Sequence, residues 1–157
     1  MIYIDTGAFF ARYVARDQYH SSARRAWKEL ETASGPVFTS NFVLDELFTL
    51  LARRTTYRFA ADRARAILSS ARLTILRPGP EEEEKAVSLF EKFGDQAVSY
   101  TDCISFVLMD QARLRRAFTY DRHFQLAGFE IWPTGLTPRR DDATGGREPG
   151  NVGTLGR

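Results

Sequence analysis

The chain opens with the stretch MIYIDTGAFFARYV, residues 1–14, in which an apolar run leads directly into a carboxylate. This pattern predicts a short buried strand that ends at Asp5, followed by a helix over residues 7–14 that Thr6 caps. The triplet Asp5-Thr6-Gly7 is also the signature of aspartic proteases. Those enzymes are built almost wholly of β-structure and need two such aspartates in one site. The remaining pattern here is mostly helical and contains one such triplet, so we reject the protease interpretation.

Outward from this stretch, β-forming runs alternate with helical periods along the chain. We predict further strands at residues 37–39, 73–76, 117–120 and 129–131. We predict helices at residues 19–33, 41–54, 57–70, 81–93 and 99–112, and a short helical turn around Phe124. This alternation implies an α/β fold with a parallel sheet that helices cover on both faces.

Composition divides the chain into one domain and a tail. The 157 residues, 43% hydrophobic and 27% charged, are typical of a single globular domain. We assign residues 1–133 to this domain. Residues 134–157 are rich in Gly and Pro with few apolar side chains, so we expect a disordered C-terminal tail.

The sequence predicts a cytoplasmic protein without membrane contact. Its apolar runs are shorter than 18 residues, and a basic segment followed by an apolar one, as in signal peptides, is not found. The single cysteine, Cys103, cannot form an internal disulfide and fits a reducing compartment. Of the 22 basic residues 19 are arginine, which favours phosphate contacts but is equally expected from a GC-rich genome.

Four carboxylates are expected at one edge of the predicted sheet. Asp5 and Asp121 end strands, Glu46 lies about two turns into the helix after the second strand, and Asp102 lies in the first turn of its own helix. Carboxylates gathered in one cleft repel each other, and a divalent cation removes that conflict. Oxygen ligands without a His or Cys cluster favour Mg²⁺ or Mn²⁺ over zinc.

Each carboxylate also has a purely structural interpretation. Asp5 can act as a helix N-cap, Asp102 as the acid of a capping box that begins at Ser99, and Asp121 as a turn residue. Glu46 lies in a strongly apolar helix, where a charge requires a partner or a metal, whereas its neighbour Asp45 is expected to face solvent. The metal-site interpretation therefore depends on all four carboxylates sharing one sheet edge.

Four blocks of the sequence together resemble the PIN-domain family, and within it the toxin ribonucleases of VapBC toxin–antitoxin pairs. They are YIDTGAF, SNFVLDELFTLL, DQAVSYTDCISFVLM and TYDRHFQLAGFEIWP, and the resemblance covers about residues 1–132. It implies a three-layer α/β/α sandwich with a central parallel sheet. The family's acidic positions fall on Asp5, Glu46, Asp102 and Asp121, which the resemblance implies to be metal ligands, and its polar helper falls on Thr119.

The resemblance implies a Mg²⁺-dependent endoribonuclease that hydrolyses RNA phosphodiester bonds with a metal-activated water on one or two ions. It also implies a small antitoxin partner and a homodimer. Two alternatives remain open: a PIN-type nuclease of RNA processing or DNA flap cleavage, and a phosphate-binding module without activity. Gly7 departs from the Ser or Asn usual in the family, and the roles of Asp95 and Ser99 stay open.

The sequence also gives expectations for the two histidines, for three aromatic residues and for five arginines. His20 is expected at the surface, and His123 is expected to be structural rather than in contact with substrate. Two of the three aromatic residues of the first helix are expected in the core, and the third is available to a partner. The helix carries Phe9, Phe10 and Tyr13. The arginines near the acidic edge by sequence are expected to line an RNA path. They are Arg12, Arg16, Arg53, Arg54 and Arg122.

Overall fold

A computed structural model describes residues 1–134 as a parallel sheet between layers of helices. In chain order the elements are β1 (Ile2–Ile4), α1 (Thr6–Tyr13), α2 (His20–Thr32), β2 (Val37–Ser40), α3 (Asn41–Arg54), α4 (Tyr57–Leu68), β3 (Leu73–Leu76), α5 (Pro80–Lys92), α6 (Tyr100–Gln111), β4 (Arg116–Phe118), α7 (His123–Leu126) and β5 (Glu130–Trp132). A 3₁₀ turn covers Gly94–Gln96. The predicted fold class is confirmed, and the predicted tail lies, except for Thr134, outside the described residues.

The strand order β3-β2-β1-β4-β5 places the first strand at the centre, with all neighbouring strands parallel. From β1 the chain builds outward to β2 and β3, and then crosses to the other side of β1 to form β4 and β5. The carboxyl ends of β1 and β4 therefore flank the point at which the strand order reverses. Open parallel sheets bind their ligands at this point.

The core explains why these short strands hold their positions. Tyr3, Ile4 and Phe118 are fully buried, as expected for strands that helices cover on both faces. The Tyr3 hydroxyl donates a 2.8 Å hydrogen bond to Ser105 Oγ on α6. Because an unpaired buried hydroxyl is costly, this bond fixes the position of α6 along β1. Within residues 1–134, every helix is too short or too polar to cross a bilayer.

Helix caps differ from the sequence prediction at the first helix. Asp5, not Thr6, is the N-cap of α1: its backbone is extended, and its carboxylate accepts a hydrogen bond from Gly7 N at 3.4 Å. Thr6 is the first helical residue, because β1 ends one residue earlier than predicted. The capping box that begins at Ser99 is confirmed, and Ser40 caps α3. The remaining helix and strand boundaries differ from the predicted ones by up to two residues.

Candidate metal centre

The site lies at the carboxyl ends of β1 and β4, where three segments bring carboxylates together. Asp5 follows β1, Asp121 lies three residues beyond β4, and Asp102 is in the first turn of α6. Asp5 and Asp102 are only 5% and 8% exposed, whereas the side chain of Asp121 is 35% exposed. The cleft therefore has a buried acidic floor and an acidic side chain that solvent reaches.

Thr119 connects two of these carboxylates. Its hydroxyl donates to Asp5 Oδ2 at 2.9 Å and accepts from the backbone N–H of Asp121 at 2.9 Å. The side chain of Thr119 is fully buried, so its bond to Asp5 lies in a medium of low dielectric constant, where it is strong. Thr119 thereby fixes the Asp5 carboxylate relative to the loop that carries Asp121.

Ser99 holds Asp102 through a reciprocal capping box. The Ser99 hydroxyl donates to Asp102 Oδ2 at 2.7 Å, the Ser99 backbone N–H donates to the same oxygen at 3.1 Å, and the Asp102 N–H donates back to Ser99 Oγ at 3.1 Å. Both bonds that reach the Asp102 carboxylate end on the same oxygen, Oδ2. Ser99, whose role the sequence left open, is thus the residue that orients Asp102.

Glu46 is held from the first helix. Thr6 Oγ1 donates to Glu46 Oε2 at 2.5 Å, which supplies the partner that a carboxylate in an apolar helix requires. Asp45 is exposed, as predicted. Glu46 lies close enough for its charge to raise the pKa of Asp102. All four predicted acids therefore face the same edge of the sheet.

Burial and like charge perturb the two deepest carboxyl groups. Burial raises the pKa of Asp5 from 3.8 to about 7; repulsion from Asp102 adds to the rise, and the hydrogen bond from Thr119 opposes it. Burial likewise raises the pKa of Asp102, with Ser99 opposing the shift and Asp121 and Glu46 increasing it. A cation in the cleft would stabilise the ionised form of both groups.

Among the described residues, the group whose ligand atoms lie close enough together to hold one ion contains a histidine and two of the four predicted acids, without Asp5 and Glu46. One ligand atom each from Asp102, Asp121 and His123 lies within 4.8 Å of the other two. His123 Nδ1 is 2.9 Å from Asp121 Oδ1, and the His123 backbone N–H donates to that oxygen at 2.8 Å. From the sequence, His123 was expected to be structural. The signal available there was the spacing of two residues between His123 and Asp121.

The structure separates the arginines that sequence proximity had grouped. Arg122 is exposed and lines an open groove beside His123, together with Asp95. Arg12 instead lies 4.2 Å from the centre of the Trp27 ring and pairs with Glu31 at 2.9 Å. Arg53 and Arg54 lie in the last turn of α3, about 10 Å further along the helix axis than Glu46. That Arg53 and Arg54 line the same RNA path as Arg122 stays a prediction, and it requires RNA to extend along α3 beyond the acids.

The structure also places the aromatic residues of α1, His20 and Gly7. Phe9 is buried, whereas Phe10 and Tyr13 are half-buried and pack against the core. His20 begins α2, as predicted, but its ring Nδ1 is within hydrogen-bonding distance of Ala11 O, at 2.7 Å, so it joins α2 to α1. At Gly7 a Cβ atom would lie 3.5 Å from Asp5 Oδ2, an ordinary contact, so sterics do not require glycine there.

Comparison with known proteins finds a matching family model and two similar curated relatives. The family model of the PIN domain matches residues 2–130. The 23S rRNA-specific endonuclease VapC20 of Mycobacterium tuberculosis is 36% identical over 136 residues, covering 85% of this chain and 99% of that protein. A VapC ribonuclease of Archaeoglobus fulgidus is 33% identical over 134 residues, covering 82% of this chain and 83% of that protein.

Solved structures show the same fold. The crystal structure of Mycobacterium tuberculosis VapC20, named a Sarcin-Ricin loop cleaving toxin, superposes with a TM-score of 0.75 at 32% identity. The alignment covers 82% of this chain and 96% of that one. VapBC2 from Rickettsia felis, solved on a promoter DNA fragment, has a TM-score of 0.59 at 16% identity, covers 83% of this chain and 97% of that one, and supports the fold alone.

Proposed function

The chain belongs to the PIN domain family, and we propose that it is a metal-dependent endoribonuclease, the toxin of a VapBC-type toxin–antitoxin pair. One observation carries the proposal: a buried aspartate, Asp5, whose pKa is raised to about 7, lies among three further acids at the switch point of a parallel sheet. Perturbed acids in such a cleft are typical of functional sites, and PIN-domain relatives named ribonucleases supply the reaction class.

The residues fit a divalent cation. Asp5, Glu46, Asp102 and Asp121 offer carboxylate oxygens, the ligands that Mg²⁺ and Mn²⁺ take, and their mutual repulsion is relieved when a cation binds. When bound, the ion lowers the pKa of a coordinated water and stabilises charge that develops on the phosphate. The proposed cofactor is accordingly Mg²⁺ or Mn²⁺.

Neighbouring hydroxyl groups of the chain orient three of the carboxylates. Thr119 holds Asp5, Ser99 holds Asp102, and Thr6 holds Glu46, so each carboxylate has a fixed rotamer before substrate arrives. Preformed geometry of this kind removes the cost of ordering the groups during the reaction. Arg122, exposed beside the site, is placed to contact a substrate phosphate.

The proposed substrate is RNA, with ribosomal RNA as the first candidate. The Mycobacterium tuberculosis relative is named a 23S rRNA-specific endonuclease, and this chain covers 99% of its length. A water nucleophile does not need the RNA 2′-hydroxyl, so we expect products with a 5′-phosphate and a 3′-hydroxyl. A DNA flap cleaved in preference to RNA would favour the alternative of a repair or processing nuclease.

The proposed antitoxin partner has a suitable surface in the groove between α1, α2 and α4, lined by Arg12, Tyr13, Trp27, Arg63 and Arg72 among others. The Arg63 guanidinium lies 5.4 Å from the centre of the Phe59 ring, and its buried Nε has no hydrogen-bond partner within residues 1–134. Carboxylates flanked by apolar side chains would satisfy these groups. Arg63→Met should therefore weaken antitoxin binding and leave RNA cleavage unchanged.

The test is cleavage of a 23S rRNA hairpin and of an unstructured RNA by metal-free protein to which Mg²⁺ or Mn²⁺ is added. Wild type should cleave only with metal, and Asp5→Asn and Asp102→Asn should each lose at least about 100-fold in rate while remaining folded. Asp45→Asn, an exposed carboxylate beside Glu46, is the matched control and should retain activity. Full cleavage in EDTA, together with loss on replacing His20 or His123, would replace this mechanism by a histidine acid–base one.

A further inference from the structure

The contact between His123 and Asp121 is unusual for a histidine–carboxylate pair. His123 Nδ1 lies 2.9 Å from Asp121 Oδ1, yet a hydrogen on Nδ1 would not point at that oxygen, so the pair makes no hydrogen bond. The Nδ1 atom is buried and has no other partner within the described part of the chain. A buried ring nitrogen without a partner is costly and requires an explanation.

A shared cation accounts for this geometry. Two ligand atoms at right angles on an ion, with bonds of about 2.1 Å, lie about 3.0 Å apart. The separation of 2.9 Å between Nδ1 and Oδ1 fits that arrangement. One oxygen of Asp102 completes a group whose three atoms all lie within 4.8 Å of one another.

We propose that His123 Nδ1 is a metal ligand alongside Asp102 and Asp121, and that this position therefore prefers a first-row transition ion such as Mn²⁺ to Mg²⁺. The inference rests on the metal-dependent function proposed above and concerns the same site. An imidazole nitrogen strengthens binding of transition ions, whereas Mg²⁺ prefers oxygen ligands. The carboxylate-only ligand set expected from the sequence is thereby extended by one nitrogen.

Neighbouring residues support this role for the ring. The backbone N–H of His123 donates to Asp121 Oδ1 at 2.8 Å, which fixes the start of α7 against the carboxylate. The adjacent Phe124 is fully buried in the core and anchors the same turn. The backbone of His123 is thus fixed, and its side chain is 20% exposed, with the buried Nδ1 beside Asp121 Oδ1.

The test exploits the presence of only two histidines in the chain. Protein without an affinity tag is stripped with EDTA, and Mn²⁺ is titrated while electron paramagnetic resonance follows free and bound ion. Pulsed measurements on the bound ion detect a directly coordinated ¹⁴N nucleus. Wild type and the control His20→Gln should show the nitrogen coupling. His123→Gln should lose it and bind Mn²⁺ about 10-fold more weakly, with a much smaller change for Mg²⁺ by calorimetry.

The outcomes separate this inference from the proposed function. If wild type binds Mn²⁺ without nitrogen coupling, or if the coupling persists in His123→Gln, the ligand assignment is overturned and the carboxylate metal site stands. If wild type binds neither Mn²⁺ nor Mg²⁺, the metal-dependent function itself fails and the inference with it. Thermal unfolding in EDTA checks that His123→Gln retains the fold, so that a loss of coupling reports on the ligand.

Discussion

Replacing Asp5 by Asn should stabilise the metal-free protein at neutral pH while weakening its response to metal. Asn is as good an N-cap as Asp, and its side-chain oxygen can still accept the hydrogen bond from Thr119. The substitution therefore changes charge and little else. It removes a carboxylate whose ionised form is destabilised by burial and by the charge of Asp102.

The magnitude follows from the pKa. The pKa of Asp5 is about 7 in the folded protein, against an ordinary aspartate value of 3.8, so the folded state keeps its proton to higher pH than the unfolded chain does. Between pH 4 and pH 7 the unfolded state ionises first, and the stability of the wild type falls as pH rises. Three pKa units correspond to about 4 kcal/mol, which is an upper bound because the folded site relaxes when it ionises. For a domain of this size that is about 10 °C in Tm.

The assay is urea unfolding in EDTA at pH 4 and pH 8, followed by circular dichroism. The two proteins should have similar stability at pH 4, and Asp5→Asn should be the more stable at pH 8. The control Asp45→Asn, at an exposed position, should change stability by less than about 0.5 kcal/mol at either pH. Added Mn²⁺ should stabilise the wild type more than Asp5→Asn, which lacks one carboxylate beside the remaining ligands. An Asp5→Asn protein less stable than wild type at pH 8, or a difference independent of pH, would refute the reasoning.

Further predictions concern Thr119, the metal, the tail and the assembly. Thr119→Val, which keeps the side-chain shape but loses both hydroxyl bonds, should reduce cleavage about 10- to 100-fold in a folded protein, and Thr119→Ser should restore it. Apparent metal affinity should rise with pH up to about 7 as Asp5 ionises, which calorimetry at several pH values measures, and Ca²⁺ should bind yet support little turnover. Deleting residues 137–157 should leave Tm within about 2 °C, since their composition offers little to bury. Light scattering should show a homodimer, and a monomer at all accessible concentrations would contradict it.

The fold and the acids could be predicted because their signals are local. Hydrophobic periodicity indicates the alternation of strands and helices, and acids that end parallel strands must meet at one sheet edge. Asp5 and Asp121 followed from that rule, and Glu46 and Asp102 from their places near helix starts, together with the family resemblance; their role as metal ligands stays a prediction. The capping box at Ser99 was visible for the same reason, since its two members are three residues apart.

Contacts between distant segments could not be predicted from these periods. The bond from Thr6 to Glu46 joins residues 40 positions apart, and the choice between Asp5 and Thr6 as the N-cap of α1 depended on one residue of strand length. The position of the His123 ring depended on the short turn after Asp121, which hydrophobic periodicity does not specify. Arg12 was misplaced because sequence proximity to Asp5 does not show that the helix turns its side chain onto Trp27.

The central position of β1 has a consequence for the order in which the protein becomes active during synthesis. Thr119, which orients Asp5, is 114 residues further along the chain, and β4 must pair with β1 before the two meet. While the ribosome is still making roughly the first hundred residues, β1 has β2 as a neighbour and one open edge, and Asp5 has neither Asp121 nor Thr119 beside it. We therefore expect nascent chains that stop before β4 to be inactive, with activity appearing only after the final crossover.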